Sequence, residues 1–142
     1  MKLYVIDASA VGSPSPLVGD ADALLAPELI DLEVANLLRK SVLRGLQTAD
    51  EASAALMVWA NNDVVRFPHA ARLPAVWALR HTITLYDAAY VALAADLDAT
   101  LLTADRRLAA AATRYCGVAT VESGGLHPQG PSAAPRDAQA AR

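Results

Sequence analysis

Four acidic residues stand where a carboxylate could take part in chemistry. Asp7 ends the apolar run "YVI", Glu33 lies in an early turn of a predicted helix, Asp87 opens the segment "AAYVALAA", and Asp105 closely follows "LLT". In a parallel α/β sheet, the carboxyl ends of the strands and the amino ends of the helices share the edge where ligands bind. The four carboxylates are therefore expected to converge.

Each acid also has a simpler interpretation as a helix cap, since Asp is a preferred N-cap residue and acids favour helix amino ends. Thr84 would give Asp87 an arrangement similar to a capping box. Converging carboxylates, however, raise one another's pKa values, at a cost of about 1 kcal/mol or more per close pair. Capping does not offset this cost, whereas a divalent cation would remove it.

The ligand chemistry of these acids indicates a hard cation. Oxygen donors without His or Cys suit Mg²⁺ or Mn²⁺, and such an ion aligns and activates water for attack on a phosphodiester. The four acids are thus predicted as metal ligands and as catalytic residues. Ser9 and Thr103 each stand two residues from an acid. Their hydroxyl groups either orient those carboxylates or make only turn and cap hydrogen bonds.

Two lines of residues run along the helix predicted at 28–45. The apolar line, expected to face the core, consists of Leu32, Ala35, Leu38, Val42 and Leu46. The polar line consists of Glu33, Asn36, Lys40 and Arg44 and is either a solvated face or part of the site. Asp31 projects towards the apolar side, which favours Glu33 as the site residue.

Short apolar runs alternate with helical segments along the chain. Strands are predicted at 2–6, 23–26, 63–67, 99–103 and 118–121, and helices at 28–45, 48–60, 69–80, 85–96 and 105–114. This order predicts an α/β fold, a three-layer α/β/α sandwich with a mostly parallel central sheet. Trp59 and Trp77 are expected in the core or in a dimer contact.

Size and composition fit one domain, because 142 residues suffice for a single core. Residues 1–122 form the predicted domain, and 123–142, rich in Pro, Gly and Ala, form a predicted disordered tail. A net charge of −3 lacks the basic footprint of a non-specific nucleic-acid coat. The single Cys116 fits a cytoplasmic protein, and no apolar stretch approaches the roughly 18 residues that span a bilayer.

Four segments in order carry a resemblance to a known family. "YVIDASAV", "APELIDLEVANLLRK", "TLYDAAYVALA" and "LLTADRRL" resemble the successive motifs of PIN-domain ribonucleases, and more narrowly of the VapC-type toxins of bacterial toxin–antitoxin pairs. The resemblance covers about residues 2–121. It implies Mg²⁺- or Mn²⁺-dependent cleavage of RNA, a homodimer, and neutralisation by a small cognate antitoxin protein.

The resemblance also assigns residues. Asp7, Glu33, Asp87 and Asp105 fall on the family's acidic site, and Ser9, Asn36 and Thr103 fall on frequent supporting positions. With RNA as substrate, Lys40, together with Arg39 and Arg44, is a candidate to hold the backbone phosphates, and the alternative for each is a solvated charge on the helix surface.

One segment departs from the family's pattern, because "SPSP" at Ser13–Pro16 breaks the helix expected after Asp7. Two other interpretations remain open. One is an enzyme of the same fold that processes cellular RNA without being a toxin, and the other is a catalytically weak module that binds an antitoxin.

Overall fold

A computed structural model describes residues 1–12 and 18–123 of the chain. The strands are β1 Leu3–Ile6, β2 Ala23–Pro27, β3 Val65–Phe67, β4 Thr100–Thr103 and β5 Gly117–Thr120. The α-helices are α1 Leu29–Leu43, α2 Ala49–Ala60, α3 Leu73–Ala78, α4 Leu85–Asp96 and α5 Arg106–Ala112. Short 3₁₀ turns at Ala8–Ala10 and Ala70–Arg72 follow β1 and precede α3.

The strands form one parallel sheet in the order β3-β2-β1-β4-β5. β1 lies in the centre, where Val5 pairs with Leu25 of β2 and with Leu101 of β4. The chain runs from β1 to one side of the sheet and then crosses back to β4 on the other side. Because connections between parallel strands are right-handed, the helices between β2 and β3 lie on one face of the sheet and the helices between β3 and β4 on the other. This gives the three layers expected from the sequence.

Helix α4 is the most deeply buried helix of the described fold. Every residue from Ala88 to Ala94 is buried, as its uncharged, apolar sequence predicts. It packs against α3 and against β1, β2 and β4. Because α4 runs antiparallel to the strands, its amino end, with Asp87, lies at the carboxyl edge of the sheet.

The predicted core face of α1 is partly wrong, although Leu38 is buried and Val42 packs against the core as expected. Leu32 and Leu46 are 73% and 60% exposed, while the buried residues of α1 are Ile30, Val34 and Leu38. Apolar residues occur on several sides of this helix, so the periodicity does not identify the side that faces the core. The buried line instead lies next to Glu33.

The segment predicted as one helix at 69–80 is a 3₁₀ turn followed by the six-residue α3, which has Pro74 in its first turn. Trp59 is buried, but Trp77 is 58% exposed and does not belong to the core. The "SPSP" segment and the predicted tail beyond Ser123 lie outside the described residues. Among the described helices, none has the length and apolar character needed to cross a bilayer.

Candidate active site

Asp7 lies at the point where the strand connections diverge. Ile6 pairs with Leu102 of β4, and the Asp7 N–H donates to the Leu102 carbonyl at 3.1 Å, so Asp7 lies level with Thr103. The chain leaves β1 towards β2 and returns on the other side as β4. Open α/β sheets bind ligands in the crevice that forms at such a point. Asp7 is therefore at the centre of the candidate site.

Two hydroxyl groups hold the Asp7 carboxylate from both sides. Ser9 Oγ donates to Oδ1 at 2.6 Å, and Thr103 Oγ1 donates to Oδ2 at 2.6 Å. The Ala10 N–H also donates to Oδ1 at 3.2 Å, which caps the 3₁₀ turn. Asp7 is 6% exposed and Thr103 is fully buried, so this arrangement is shielded from solvent.

The same hydroxyl groups connect Asp7 to the loop after β4. Ser9 Oγ accepts the Ala104 N–H at 2.9 Å, and Thr103 Oγ1 accepts the Asp105 N–H at 3.0 Å. Each hydroxyl has a single proton, which its short bond to Asp7 takes up. Both hydroxyls therefore point at the carboxylate and fix its orientation relative to Asp105.

Glu33 is held by a residue that the sequence reasoning missed. Tyr90, 1% exposed, donates its hydroxyl proton to Glu33 Oε1 at 2.6 Å. Tyr90 lies three residues after Asp87 in an apolar segment, and a buried Tyr hydroxyl usually has a partner. That rule predicts a polar neighbour for Tyr90 without identifying Glu33.

Asp31 points away from this cluster, as the helical wheel indicated. Its Oδ1 accepts from Trp59 Nε1 at 2.7 Å and from Arg66 Nε at 3.2 Å. These bonds connect α1 to α2 and to β3. Asp31 therefore has a structural position, although it is only two residues from Glu33.

Asp87 and Asp105 lie at the amino ends of helices. Thr84 caps α4 by accepting the Asp87 N–H at 3.2 Å, as expected from the sequence. Asp105 caps α5, and its Oδ1 accepts from the N–H groups of Arg107 and Leu108 at 2.9 and 3.2 Å. The capping interpretation is thus correct for Asp105, and both cap bonds use the same carboxylate oxygen.

The electrostatics connect the four acids to one another. Burial raises the pKa of Glu33, the hydrogen bond from Tyr90 opposes this shift, and the charges of Asp7 and Asp87 raise the pKa further. Burial also raises the pKa of Asp87, a hydrogen bond with Thr84 opposes this shift, the charge of the neighbouring Asp105 adds to it, and the charge of Arg107 partly offsets it. Glu33 is therefore near enough to Asp7 and Asp87, and Asp87 to Asp105, for their charges to repel.

Asp7 has a raised pKa for a different reason. Burial is the main cause, and the hydrogen bonds from Ser9 and Thr103 partly oppose it. Burial and the hydrogen bond to Glu33 raise the pKa of Tyr90 well above its usual range, so Tyr90 stays a neutral donor. The site thus holds carboxylates whose charged forms are disfavoured in the metal-free protein.

Asn36 and Lys40 occupy exposed positions on α1. Asn36 follows Glu33 by nearly one helical turn and Lys40 by about two turns. In the part of the chain that the structure describes, no recorded hydrogen bond or ion pair joins either side chain to the four acids. Their supporting and substrate-binding roles remain predictions.

The carboxylate oxygens of these acids suit a hard cation, but they do not form a complete coordination shell. No three His, Cys, Asp or Glu side chains of the described residues are arranged to hold one metal ion together. Mg²⁺, however, usually takes only one or two carboxylates directly and keeps several waters. The salt bridges recorded in residues 1–12 and 18–123 join Arg66 to Asp31 and Arg72 to Asp96, so none neutralises the cluster. An all-oxygen cluster that no salt bridge of the described residues neutralises fits Mg²⁺ or Mn²⁺.

The fold and this acidic site agree with a match to a protein family. The family described as "PIN domain" matches residues 4–113, most of the chain. The chain therefore belongs to the PIN-domain family.

Within that family the chain is similar to ribonucleases of the VapC group. Ribonuclease VapC1 of Mycobacterium tuberculosis is 46% identical over 97 residues, which cover 68% of this chain and 73% of the relative. Ribonuclease VapC9 of the same organism is 34% identical over 126 residues, which cover 84% and 98%. Ribonuclease VapC3 of Pyrobaculum aerophilum is 39% identical and covers 77% and 93%.

Solved structures show the same fold. A crystal structure from Pyrobaculum aerophilum aligns with a TM-score of 0.57 and 26% identity, covering 82% of this chain and 83% of the other. A structure described as VapBC-5, from the VapBC family of toxin–antitoxin systems of Mycobacterium tuberculosis, aligns with a TM-score of 0.58 and 20% identity, covering 86% and 99%. The predicted family and fold class are confirmed.

The Tyr90 hydroxyl gives a first testable prediction. Tyr90→Phe removes the donor to Glu33 and leaves the packing of the ring, so we expect the rate of RNA cleavage to fall about tenfold, at the low end for a residue that orients a ligand. Because the hydrogen bond from Tyr90 lowers the pKa of Glu33, the acidic limb of the pH–rate profile should also move to higher pH. Cleavage rates across pH check both effects, and an unchanged profile would contradict the role of Tyr90.

The raised pKa of Asp7 predicts a pH-dependent stability. The folded protein binds the Asp7 proton more tightly than the unfolded chain, so this group's contribution to stability is fully present below the unfolded pKa and is lost as pH rises through the folded pKa. Asn at position 7 does not titrate. In chelator, Asp7→Asn should therefore gain stability relative to wild type between about pH 4 and pH 7.

Urea unfolding of both proteins at the two pH values measures this difference. The amide also disturbs the two donating hydroxyls, but that cost does not depend on pH. The change in the stability difference between the two pH values therefore reports on the Asp7 carboxylate alone. If the difference in the free energy of unfolding between the two proteins stayed constant, or if wild type gained stability relative to the variant as pH rises, the Asp7 carboxylate would not be strained by burial.

Proposed function

We propose that this protein is a metal-dependent endoribonuclease that hydrolyses RNA phosphodiester bonds and acts as the toxin of a toxin–antitoxin pair. The observation that carries the proposal is the group of Asp7, Glu33, Asp87 and Asp105 at the divergence point of the sheet, in which Glu33 is repelled by Asp7 and Asp87, and Asp87 by Asp105. Its relatives are named ribonucleases, and a structural neighbour comes from a toxin–antitoxin system.

The four acids form the donor set for Mg²⁺ or Mn²⁺. When bound, such an ion polarises the phosphoryl oxygen and makes water a better nucleophile. Asp7 is the central donor, since Ser9 and Thr103 fix both of its oxygens. Asp105 accepts both cap bonds of α5 through Oδ1, so Oδ2 takes no part in capping the helix.

Glu33 is suited to accept the proton of the attacking water. A carboxylate whose pKa is raised is a stronger base than an ordinary one, and burial, which is the largest cause of the raised pKa of Glu33, does not depend on the charges of the other acids. Because the Tyr90 hydroxyl donates to Glu33 Oε1, Oε2 is the oxygen that accepts the proton of the attacking water. Attack by water forms a new P–O bond and breaks the bond to the leaving sugar oxygen, so the products are a terminal phosphate monoester and a hydroxyl.

The partners follow from the same proposal. Single-stranded RNA is the substrate, because its phosphates are reachable and its bases need not be unpaired. A small cognate antitoxin inhibits the enzyme, the protein is a homodimer, and its substrate places its action in the cytoplasm.

A growth experiment tests the toxin part of this proposal. Induced expression of the chain alone in a bacterial host should arrest growth, and co-expression of a small protein encoded beside its gene should relieve the arrest. Growth that continues normally while purified protein cleaves RNA would instead indicate a processing enzyme of the same family.

A further inference from the structure

A large groove opens beside two of the four acids. It has a volume of about 900 Å³ and runs between the α3–α4 loop and α5. Asp87 and Asp105 lie in its wall together with Arg80, Arg107 and Arg114. The groove therefore starts at the carboxylate cluster and continues along a surface that carries three guanidinium groups.

The charge of this groove differs from that of the whole protein. The protein has a net charge of −3, with 12 Lys and Arg in total. Three of these cations line this one groove, against two carboxylates. If a metal ion neutralises Asp87 and Asp105, the remaining wall is cationic. A cationic groove on an acidic protein indicates an anionic ligand at this place.

The three arginines are available to a ligand. All three are exposed, and none takes part in a salt bridge recorded for residues 1–12 and 18–123. Arg80 is held in place, since its guanidinium lies 5.0 Å from the Trp77 ring centroid and its Nη1 donates to the Trp77 carbonyl at 3.0 Å. Its other N–H groups are directed to neither of these partners.

The spacing of the arginines favours an extended ligand. Arg107 lies in the first turn of α5, and Arg114 lies seven residues further along the chain, in the turn that follows α5. Arg80 comes from the opposite wall, at the end of α3. Arginines on both walls of a groove of about 900 Å³ suit successive phosphates of a nucleic-acid strand better than one compact anion.

We propose that this groove binds the backbone of single-stranded RNA on one side of the scissile bond, with Arg80, Arg107 and Arg114 contacting phosphates. This inference rests on the proposed ribonuclease function. It assigns the RNA path to α5 and the α3–α4 loop, in place of the surface of α1 around Lys40. The strand then enters the carboxylate cluster past Asp105 and Asp87.

Matched charge variants test this path. The double variant Arg107→Gln, Arg114→Gln removes two groove charges, whereas Lys2→Gln, Arg106→Gln removes the same charge outside the groove. Arg106 is the neighbour of Arg107 on α5 but does not line the groove, and Lys2 precedes β1 at the opposite edge of the sheet. Arg80 is left intact because its replacement would also disturb Trp77.

Binding of a short labelled single-stranded RNA to the full chain is measured by anisotropy across salt concentrations, in an Asp7→Asn background that prevents cleavage. The groove variant should bind at least about tenfold more weakly than the control variant. The slope of its log affinity against log salt concentration should become shallower by about 0.7 for each phosphate that an arginine no longer neutralises. In the active background, KM should rise more than kcat falls.

The outcomes separate the groove from the proposed function. If wild type cleaves RNA but the groove and control variants bind it equally well, the groove proposal is overturned and the ribonuclease function stands. If wild type does not cleave RNA, the function fails, and the binding comparison still decides whether the groove holds RNA. If the groove variant binds RNA normally but is no longer inhibited by the antitoxin, the occupant is a protein segment and the proposal is wrong.

Discussion

Asp7→Asn should reduce RNA cleavage at least about 100-fold. A bound ion supplies several kcal/mol of transition-state stabilisation, and each 1.36 kcal/mol corresponds to a factor of about ten in rate. Asp7 lies at the centre of the candidate site, with hydroxyl donors at 2.6 Å on both oxygens. An amide carries no charge, and its NH₂ group faces one of these donating hydroxyls. The initial rate of RNA cleavage by the purified variant measures the loss.

The fold should survive this substitution, because burial disfavours the Asp7 charge. Thermal unfolding in chelator checks that point. Ser9→Ala serves as a graded control, since it removes one orienting hydroxyl and keeps the carboxylate, and it should cost about 10-fold to 100-fold in rate. If folded Asp7→Asn retained more than about a tenth of the wild-type rate, Asp7 would not be a metal ligand.

Glu33→Gln and Asp31→Asn should have opposite effects, although the two acids are separated by a single residue. Glu33→Gln removes a carboxylate that Tyr90 orients and that other acids repel. We expect the rate of cleavage to fall about 100-fold, because the substitution removes a metal-binding carboxylate that also accepts the proton of the attacking water. The melting temperature in chelator should not decrease, since a strained charge is removed.

Asp31→Asn should instead lower stability and leave the activity of the folded protein unchanged. The carboxylate accepts from Trp59 and Arg66, and Asp31 is half-exposed, so the loss is about 1 kcal/mol, or about 3 °C in melting temperature. Cleavage rates and melting curves of both variants decide the assignment. If Asp31→Asn abolished cleavage while Glu33→Gln kept it, the two roles would have to be exchanged.

Much of the fold follows from local sequence patterns. "YVI" and "LLT" are short, apolar and flanked by polar residues, and they form β1 and β4 within one residue of the predicted bounds. The uncharged run after Asp87 predicted a buried helix, and α4 is one. These predictions succeed because strand and helix periods depend on near neighbours in the chain.

Features that depend on distant segments could not be predicted in the same way. The core face of α1 was predicted correctly at Leu38 but not at Leu32, because several sides of the helix carry apolar residues, and only tertiary packing selects Ile30 and Val34. The bond from Tyr90 to Glu33 joins residues 57 positions apart. Arg80 lies just after α3 and Arg114 just after α5, so sequence spacing does not reveal the groove that they share.

The convergence of the acids could be predicted, since strand topology fixes it. Asp7 and Asp105 follow adjacent strands, and Asp87 begins the helix that precedes β4. The sequence also indicated hydroxyl partners for these acids at Ser9 and Thr103. It did not show that both hydroxyls bind one carboxylate, because that arrangement requires β1 and β4 to pair in the observed register.

The central claim is that a divalent ion binds at the cluster of Asp7, Glu33, Asp87 and Asp105, and that hydrolysis of RNA depends on this ion. The most direct measurement incubates purified, partner-free protein with end-labelled RNA in chelator, then adds back Mn²⁺ or Mg²⁺, and identifies the new RNA ends. We predict no cleavage in chelator, cleavage on adding metal, and terminal phosphate monoesters without a 2′,3′-cyclic phosphate. Cleavage that persists in chelator and leaves a cyclic phosphate, or no cleavage by folded protein with metal, would contradict this claim.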